Sequence, residues 1–399
     1  MLIAALAIFL TVLTVLPSGC WDRREPDLLG LITIAAFDLD DSGLIKVYAQ
    51  LANPVGAGQQ QNGGGGGSNE KRTSIWALEA TGHTVYQAIK NMELRSTREL
   101  LWTHVEVVLF SEKLARRGIR PVLDFIEREP QIRLIARPFV VQGEMGRLMQ
   151  AEFPLEQFGA TALSKQIISI RDELAYTSDT DSVRVMLHHL TTPGWELDLP
   201  RIVVLEEDEA NGNNRAGRQN PALISGMAVF RGDKLVGFFD YKETAGYMWL
   251  RGEVEQHVLV LQCPDHEEDL LTVQIFESRV ELTPQINGDE VRFKAAIFAE
   301  GRIEEFYCQD LPPEDEFIAS LNRRLATAIR NEAAAGLEKG RELGADVFGL
   351  GNIIYRTRNK DWQRFGENWI EMFPEVMVDL DVQAVIRRHG LNLAPIKIR

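Results

Sequence analysis

Ala222-Leu223-Ile224-Ser225-Gly226-Met227-Ala228-Val229-Phe230-Arg231 runs into Gly232-Asp233 and returns through Lys234-Leu235-Val236-Gly237-Phe238-Phe239-Asp240-Tyr241. Two apolar, β-rich runs joined by a two-residue turn beginning with glycine specify an antiparallel hairpin, because so short a loop needs backbone with positive φ. Ahead of it, Glu206 to Gln219 has almost no apolar content and reads as an exposed linker or long loop. The chain therefore divides into a linker at 206–221 and a C-terminal domain at 222–399.

Downstream, Glu255 to Cys263, Leu270 to Leu282 and Val291 to Ala299 read as strands, with Asn287-Gly288 as another turn. Past Pro312-Pro313 the period becomes helical: Phe317, Leu321, Leu325 and Ala328 share one stripe. Trp362, Phe365, Trp369 and Met372 mark a second helix ending at Pro374, after which Val376, Val378, Leu380 and Val382 alternate as in a half-buried strand. Strands, then helices, then a returning strand predict an α+β domain with a mainly antiparallel sheet packed by helices.

Upstream, 20–200 reads as an α/β region of one or two subdomains, making the whole a mixed α/β, multi-domain chain. Leu31 to Phe37 and Leu44 to Leu51 flank Asp38 to Gly43, an acidic turn without the spacing of a calcium loop. Residues 56–70, with five consecutive glycines, cannot bury enough apolar surface to order themselves and predict a mobile loop. Arg72 to Glu79, His104 to Phe110 and Arg137 to Gln142 read as strands. Val85, Ala88, Ile89 and Met92 recur at helical spacing, as do Val122, Leu123 and Ile126. From Gly143 to His189 the pattern is helical, with Asp179 and Thr180 as capping candidates for the segment carrying Val183, Met186, Leu187 and Leu190.

Met1 to Cys20 is an uncharged apolar run ending in Leu16-Pro17-Ser18-Gly19-Cys20, and polar sequence follows at once. Small residues before a cysteine suit a signal peptidase, so 1–19 reads as a signal peptide and Cys20 as the lipidation site. An uncleaved anchor and an ordinary buried helix are the alternatives. The run carries no Lys or Arg, and Pro17 stands where a lipobox usually has leucine. This leader predicts an extracytoplasmic body held to a membrane by lipid. With a net charge of -15 over 399 residues, the chain lacks the basic face that nucleic acid demands and any broad electrostatic hold on anionic lipid. Cys263 and Cys308 are the other two cysteines; a bridge and two buried thiols both fit their positions after apolar runs.

Chemistry-bearing patterns are weak. Adjacent His188 and His189 point to different sides of a helix, which suits no single metal. His104-Val105-Glu106 lacks the Pro-Cys-x-x-Cys partner of a zinc deaminase, and Gly349-Leu350-Gly351 follows a helix rather than a strand, reading as a helix end and turn. The Trp362, Phe365, Trp369 stripe reads as core rather than a binding platform. Neither a metal nor a cofactor is expected, and neither is catalysis.

Ser18-Gly19-Cys20-Trp21-Asp22-Arg23-Arg24-Glu25, the hairpin Gly226 to Gly237, and Phe373-Pro374-Glu375-Val376 leading to Ile386-Arg387-Arg388-His389-Gly390 together resemble the Ger(x)C family of spore germination lipoproteins, the C subunits of nutrient germinant receptors. The resemblance implies distinct mixed α/β domains and a diacylglycerol anchor on Cys20 at the outer face of the spore inner membrane. It also implies integral membrane A-type and transporter-like B-type subunits as partners, a small-molecule nutrient as candidate ligand, and no catalytic site. An extracytoplasmic solute-binding lipoprotein or an envelope hydrolase is the alternative.

Overall fold

A computed structural model describes residues 28–52, 75–151, 153, 155–205, 221–264, 268–308 and 314–388. The leader with Cys20, the glycine-rich segment 56–70, residues 206–220 of the expected linker, and His389-Gly390 lie outside the described residues.

The alternation of strands and helices in the N-terminal half builds one mixed nine-stranded sheet. Its centre is parallel, formed by β1 (Leu29–Leu39), β5 (Val107–Ser111), β6 (Arg137–Gln142) and β7 (Asp198–Val204). β2 (Ile45–Ala52) and β3 (Ile75–Gly82) extend it antiparallel beyond β1, and β4 (Glu99–Leu101) pairs with the start of β1. The acidic turn between β1 and β2 is closed by Asp40, whose Oδ1 accepts from Ser42 N at 2.9 Å, Ser42 Oγ at 2.7 Å and Leu44 N at 2.8 Å. All five residues of β5 are buried, as expected for a strand covered on both faces. The expected strand from His104 starts only at Val107, because Trp102–His104 is a 3₁₀ turn that leaves His104 and Glu106 exposed.

One face of the sheet is packed by α1 (Val85–Glu93), α2 (Glu112–Arg117), α3 (Arg120–Arg128) and α6 (Val183–Thr191). The other is packed by α4 (Met145–Met149) and α5 (Gly159–Leu174). The spacings that predict α1 and α3 are their buried stripes: Val85, Ala88, Ile89 and Met92 on one, Val122, Leu123 and Ile126 on the other. Two apolar faces make a three-layer unit.

The hairpin at 222–239 forms as read, with β8 (Ala222–Arg231), β9 (Lys234–Phe239) and Gly232 at φ +60°. Its partner differs from the sequence expectation. β8 pairs antiparallel with β7, from Asp198↔Val229 to Val204↔Ala222, so the hairpin completes the first sheet instead of opening a second one at Ala222. Local sequence encodes the turn, whereas the choice of neighbouring strand is set across residues 206–220 by long-range packing.

The second sheet runs β10 (His257–Gln262), β11 (Leu270–Asn287), β12 (Glu290–Phe306) and β13 (Met377–Arg388). Three strands are antiparallel, and β13 returns parallel to β12. Between hairpin and sheet lies α7 (Tyr241–Arg251), and between β12 and β13 lie α8 (Glu314–Leu343), α9 (Leu350–Thr357), α10 (Asn359–Phe365) and α11 (Trp369–Met372). Phe317, Leu321, Leu325 and Ile329 of α8 are buried against this sheet, with Ile329 taking the place expected of Ala328. The helix expected through Trp362 to Met372 is broken by a 3₁₀ turn at Gly366–Asn368, where a Cβ on Gly366 would come 2.7 Å from the Trp362 ring. Cys263 and Cys308 are bridged, with Cα atoms 5.6 Å apart, tying the end of β10 to the end of β12.

Candidate functional site

α7 is the element on which the two sheets meet. Asp240 caps it reciprocally: its Oδ1 accepts from Glu243 N and Glu243 Oε2 accepts from Asp240 N, both at 2.8 Å. Gly252 closes it at φ +72°. Seven consecutive residues, Thr244 to Leu250, are buried, because β8 packs on one side and α8 on the other. The crossing with α8 is backbone on backbone. A Cβ on Gly246 would lie 2.0 Å from Glu332 O, and one on Gly336 would lie 2.7 Å from Glu243 O.

From α7, Tyr247 and Arg251 reach a buried polar network made by the loop at 177–182 and the start of β7. Tyr247 donates its hydroxyl proton to Asp179 and stands 3.2 Å from Asp198 Oδ2. Ser178 donates to the same Asp198 oxygen, and Thr180 Oγ1 lies 3.4 Å from it. Arg251 pairs with Asp179 at 3.3 Å and lays its guanidinium 4.2 Å from the centre of the Trp195 ring. His189 stacks on Trp195 at 4.3 Å and comes 3.7 Å from Asp198.

Burial decides the protonation states here. It raises the Asp198 carboxyl to about 7, with the Asp179 charge adding to the rise and the Ser178 bond opposing it. It lowers His189 to about 4. Between about pH 4 and pH 7 the close His189–Asp198 pair is thus a contact of neutral groups, not an ion pair. Tyr247 has a single hydroxyl proton and two carboxyl oxygens within its reach, Asp179 Oδ1 and, at 3.2 Å, Asp198 Oδ2. On its solvent side Asp179 faces a cleft of about 320 Å³ shared with Arg171, Asp181, Glu253 and Glu255.

Beside the network, the segment 193–196 is strapped to the start of α9. Asn352 N donates to Gly194 O at 2.9 Å, Asn352 Nδ2 to Pro193 O at 3.2 Å, and Glu196 N to Asp346 O at 3.0 Å. Asp346 is fully buried and its carboxylate accepts from Leu350 N at 3.0 Å, Gly351 N at 2.7 Å and Trp369 Nε1 at 2.9 Å. Burial lifts its pKa to about 6 against those three bonds. Gly349 is therefore the N-cap of α9, at φ +73°, and Gly349-Leu350-Gly351 opens a helix where a helix end was expected. Gly351 has no room for a side chain, since a Cβ would meet Trp369 Nε1 at 2.4 Å. Above this strap lies a pocket of about 220 Å³ walled by Trp195, Trp362 and Trp369 and by Leu190, Glu196 and Ile370, among others.

The sequence candidates scatter. Cys20 lies outside the described residues. His188 is exposed while His189 is buried in the network. Asp179 and Thr180 do not cap α6, a role taken by Ser182, whose side chain accepts from Val185 N; they belong to the network instead. Phe365 and Trp369 are buried, as read, whereas Trp362 is half-buried; both tryptophans also line the pocket. Tyr247, Arg251, Asp198, Trp195 and Asp346 were not singled out by any motif; the capping pair Asp240 and Glu243 is a local signal that marks α7, which carries Tyr247 and Arg251. Among the described residues, no group of three or more His, Cys, Asp or Glu is placed to hold a metal ion.

Comparison with known proteins covers both halves. The family model described as spore germination protein N-terminal domain matches residues 22–204, and that described as spore germination B3/GerAC like, C-terminal, matches 225–390. Spore germination protein KC of Bacillus subtilis (strain 168) is 23% identical over 406 residues, covering 98% of this chain and 97% of its own. Spore germination protein YndF of the same organism is 24% identical, with 96% of each chain covered. Spore germination protein GerQC of Bacillus cereus is 19% identical, covering 96% of this chain and 99% of its own. The crystal structure of the GerBC protein superposes with a TM-score of 0.57 at 17% identity, over 88% of this chain and 96% of that one, and so shares the fold. Fold, paired domain matches and end-to-end relatives agree, and the chain belongs to the Ger(x)C family of spore germination proteins.

Proposed function

We propose that this chain is the lipid-anchored, non-enzymatic subunit of a nutrient germinant receptor, carried on Cys20 and assembled with integral membrane subunits of A type and transporter-like B type. The observation that carries the reading is the full-length relationship to spore germination proteins, 98% of this chain against spore germination protein KC, combined with the leader ending in Ser18-Gly19-Cys20. Among the described residues no helix is long and apolar enough to cross a membrane. A single acyl chain holds only marginally, and a diacylglycerol group gives the two-chain grip that stable tethering needs.

In this reading the domains are a signal peptide at 1–19, an N-terminal α/β region to about 200, and a C-terminal α+β domain, with the hairpin 222–239 shared between them through the first sheet. The body stands outside the cytoplasmic membrane of the cell or spore. The test is affinity purification of the tagged full chain from detergent-solubilised spore membranes. Recovery of integral membrane subunits in near-stoichiometric yield is the expected result; a chain that comes down with none of them contradicts receptor assembly.

A further inference from the structure

The pocket above the strap is built from both halves of the protein. Leu190, Trp195 and Glu196 come from the first unit, and Trp362, Trp369 and Ile370 from the helices of the second. Its floor is the set of hydrogen bonds that join them, Asn352 to Gly194 and Glu196 to Asp346. At about 220 Å³ it has room for roughly seven waters at about 30 Å³ each, which is the scale of a small metabolite rather than a peptide or a nucleotide.

Its charge is one-sided, although the Nε1–H of Trp195, which also lines it, is buried without an acceptor among the described residues. Two carboxylates, Glu196 and Asp346, reach the lining, and the described residues that line it include no Lys, Arg or His. Asp346 spends both oxygens on α9 and Trp369. Glu196 spends Oε2 on Gly232 N at 2.6 Å, which leaves Oε1 without a protein donor among the described residues. Burial raises the Glu196 carboxyl, with Asp346 adding to the rise against the Gly232 bond and the charge of Arg231, so a cation seated beside it would relieve a carboxylate short of partners. Arg251 is committed to the Trp195 ring and to Asp179. The Trp362 and Trp369 rings stand 6.0 Å apart, tilted by 54°, and both line the pocket together with Glu196. Indole faces and a carboxylate with a free oxygen are the elements that hold an organic cation, because the ring quadrupole attracts positive charge and the apolar walls strip its water.

We propose that this pocket binds a small organic cation, a molecule bearing a primary or methylated ammonium group, seated between Glu196 and the indoles of Trp362 and Trp369. Because the pocket bridges the two units across the strap, its occupancy bears on how firmly they are held together. The proposal goes beyond the anchored-subunit reading and does not rest on it, since binding is read on purified protein without partners or membrane.

The test is a tryptophan-fluorescence titration of the full chain in detergent with ethylammonium and tetramethylammonium chlorides, against sodium chloride at equal ionic strength and against ethanol as a neutral probe of similar size. A saturable change with at least one ammonium salt and none with sodium chloride or ethanol is expected. Glu196→Gln keeps an acceptor for Gly232 N and should weaken binding about tenfold, and Trp362→Leu about threefold or more. A response to ethanol equal to that for ethylammonium, no saturable response to either salt, or a saturable response that Glu196→Gln leaves unchanged, overturns the proposal.

Discussion

Tyr247 on α7 holds its hydroxyl 3.2 Å from Asp198 Oδ2 on β7 while giving its proton to Asp179. One side chain of the linking helix thereby reaches the first sheet and the loop ahead of α6 together. Burial raises the Asp198 carboxyl at this junction and lowers the neighbouring His189, which makes the junction sensitive to pH.

A carboxyl raised in the fold contributes stability that is complete below its ordinary 3.8 and is lost as pH rises through about 7. A histidine lowered in the fold contributes stability that is complete above its ordinary 6.5 and is lost as pH falls through about 4. Between about 4 and 6.5 the unfolded chain carries the proton on His189 and the folded chain carries it on Asp198, so the pair adds no slope. Asp198→Asn removes one half of that balance. Relative to the parent, the variant should lose stability as pH falls from about 6.5 to about 4, by at most about 1.4 kcal/mol per pH unit. Urea denaturation at several pH values in that window measures it, and parallel curves for parent and variant would refute the protonated Asp198.

The α7–α8 crossing should tolerate no side chain at Gly246. With Glu332 O only 2.0 Å from where a Cβ would stand, Gly246→Ala must push apart a pair of helices that are bound on both flanks. A loss of about 3 kcal/mol or more is expected, beyond the usual cost of overpacking because backbone, not a flexible side chain, is in the way. Gly232→Ala is the control: a Cβ there meets nothing within 4 Å, so only the strain of its positive φ remains.

Much of this fold was legible. The periodicities of α1, α3 and α8 and the alternation of β13 are properties of single segments facing a single core, and they read directly from spacing. What stayed hidden depends on contacts between segments. α7 shows no amphipathic stripe because it is buried between β8 and α8 from Thr244 to Leu250, and a helix buried on all sides loses the period that marks it. The hairpin 222–239 announces its turn but not its attachment to β7. Asp179 and Thr180 carry the residue types of a cap, yet Ser182 wins that place and they serve a network whose other members lie as far off as Arg251, 72 residues away.

Removing the bridge between Cys263 and Cys308 should destabilise the second unit. The sequence separation is 45 residues, and the loop-entropy relation gives about 4 kcal/mol for a loop of that size. Cys263→Ser with Cys308→Ser should shift the urea midpoint down accordingly, and an oxidised parent that unfolds at the same midpoint as its reduced form contradicts a structural role.

Cys20 carries the largest functional claim in this account. The decisive measurement is the distribution of the full chain and of Cys20→Ala between membrane and soluble fractions, with mass analysis of the N-terminal peptide. The account predicts a membrane-bound parent whose N-terminal peptide begins at Cys20 with a diacylglyceryl mass added, and a Cys20→Ala chain that loses membrane retention and nutrient-triggered germination. A Cys20→Ala chain retained on the membrane and fully germination-competent, or an unmodified Cys20 in the parent, would contradict it.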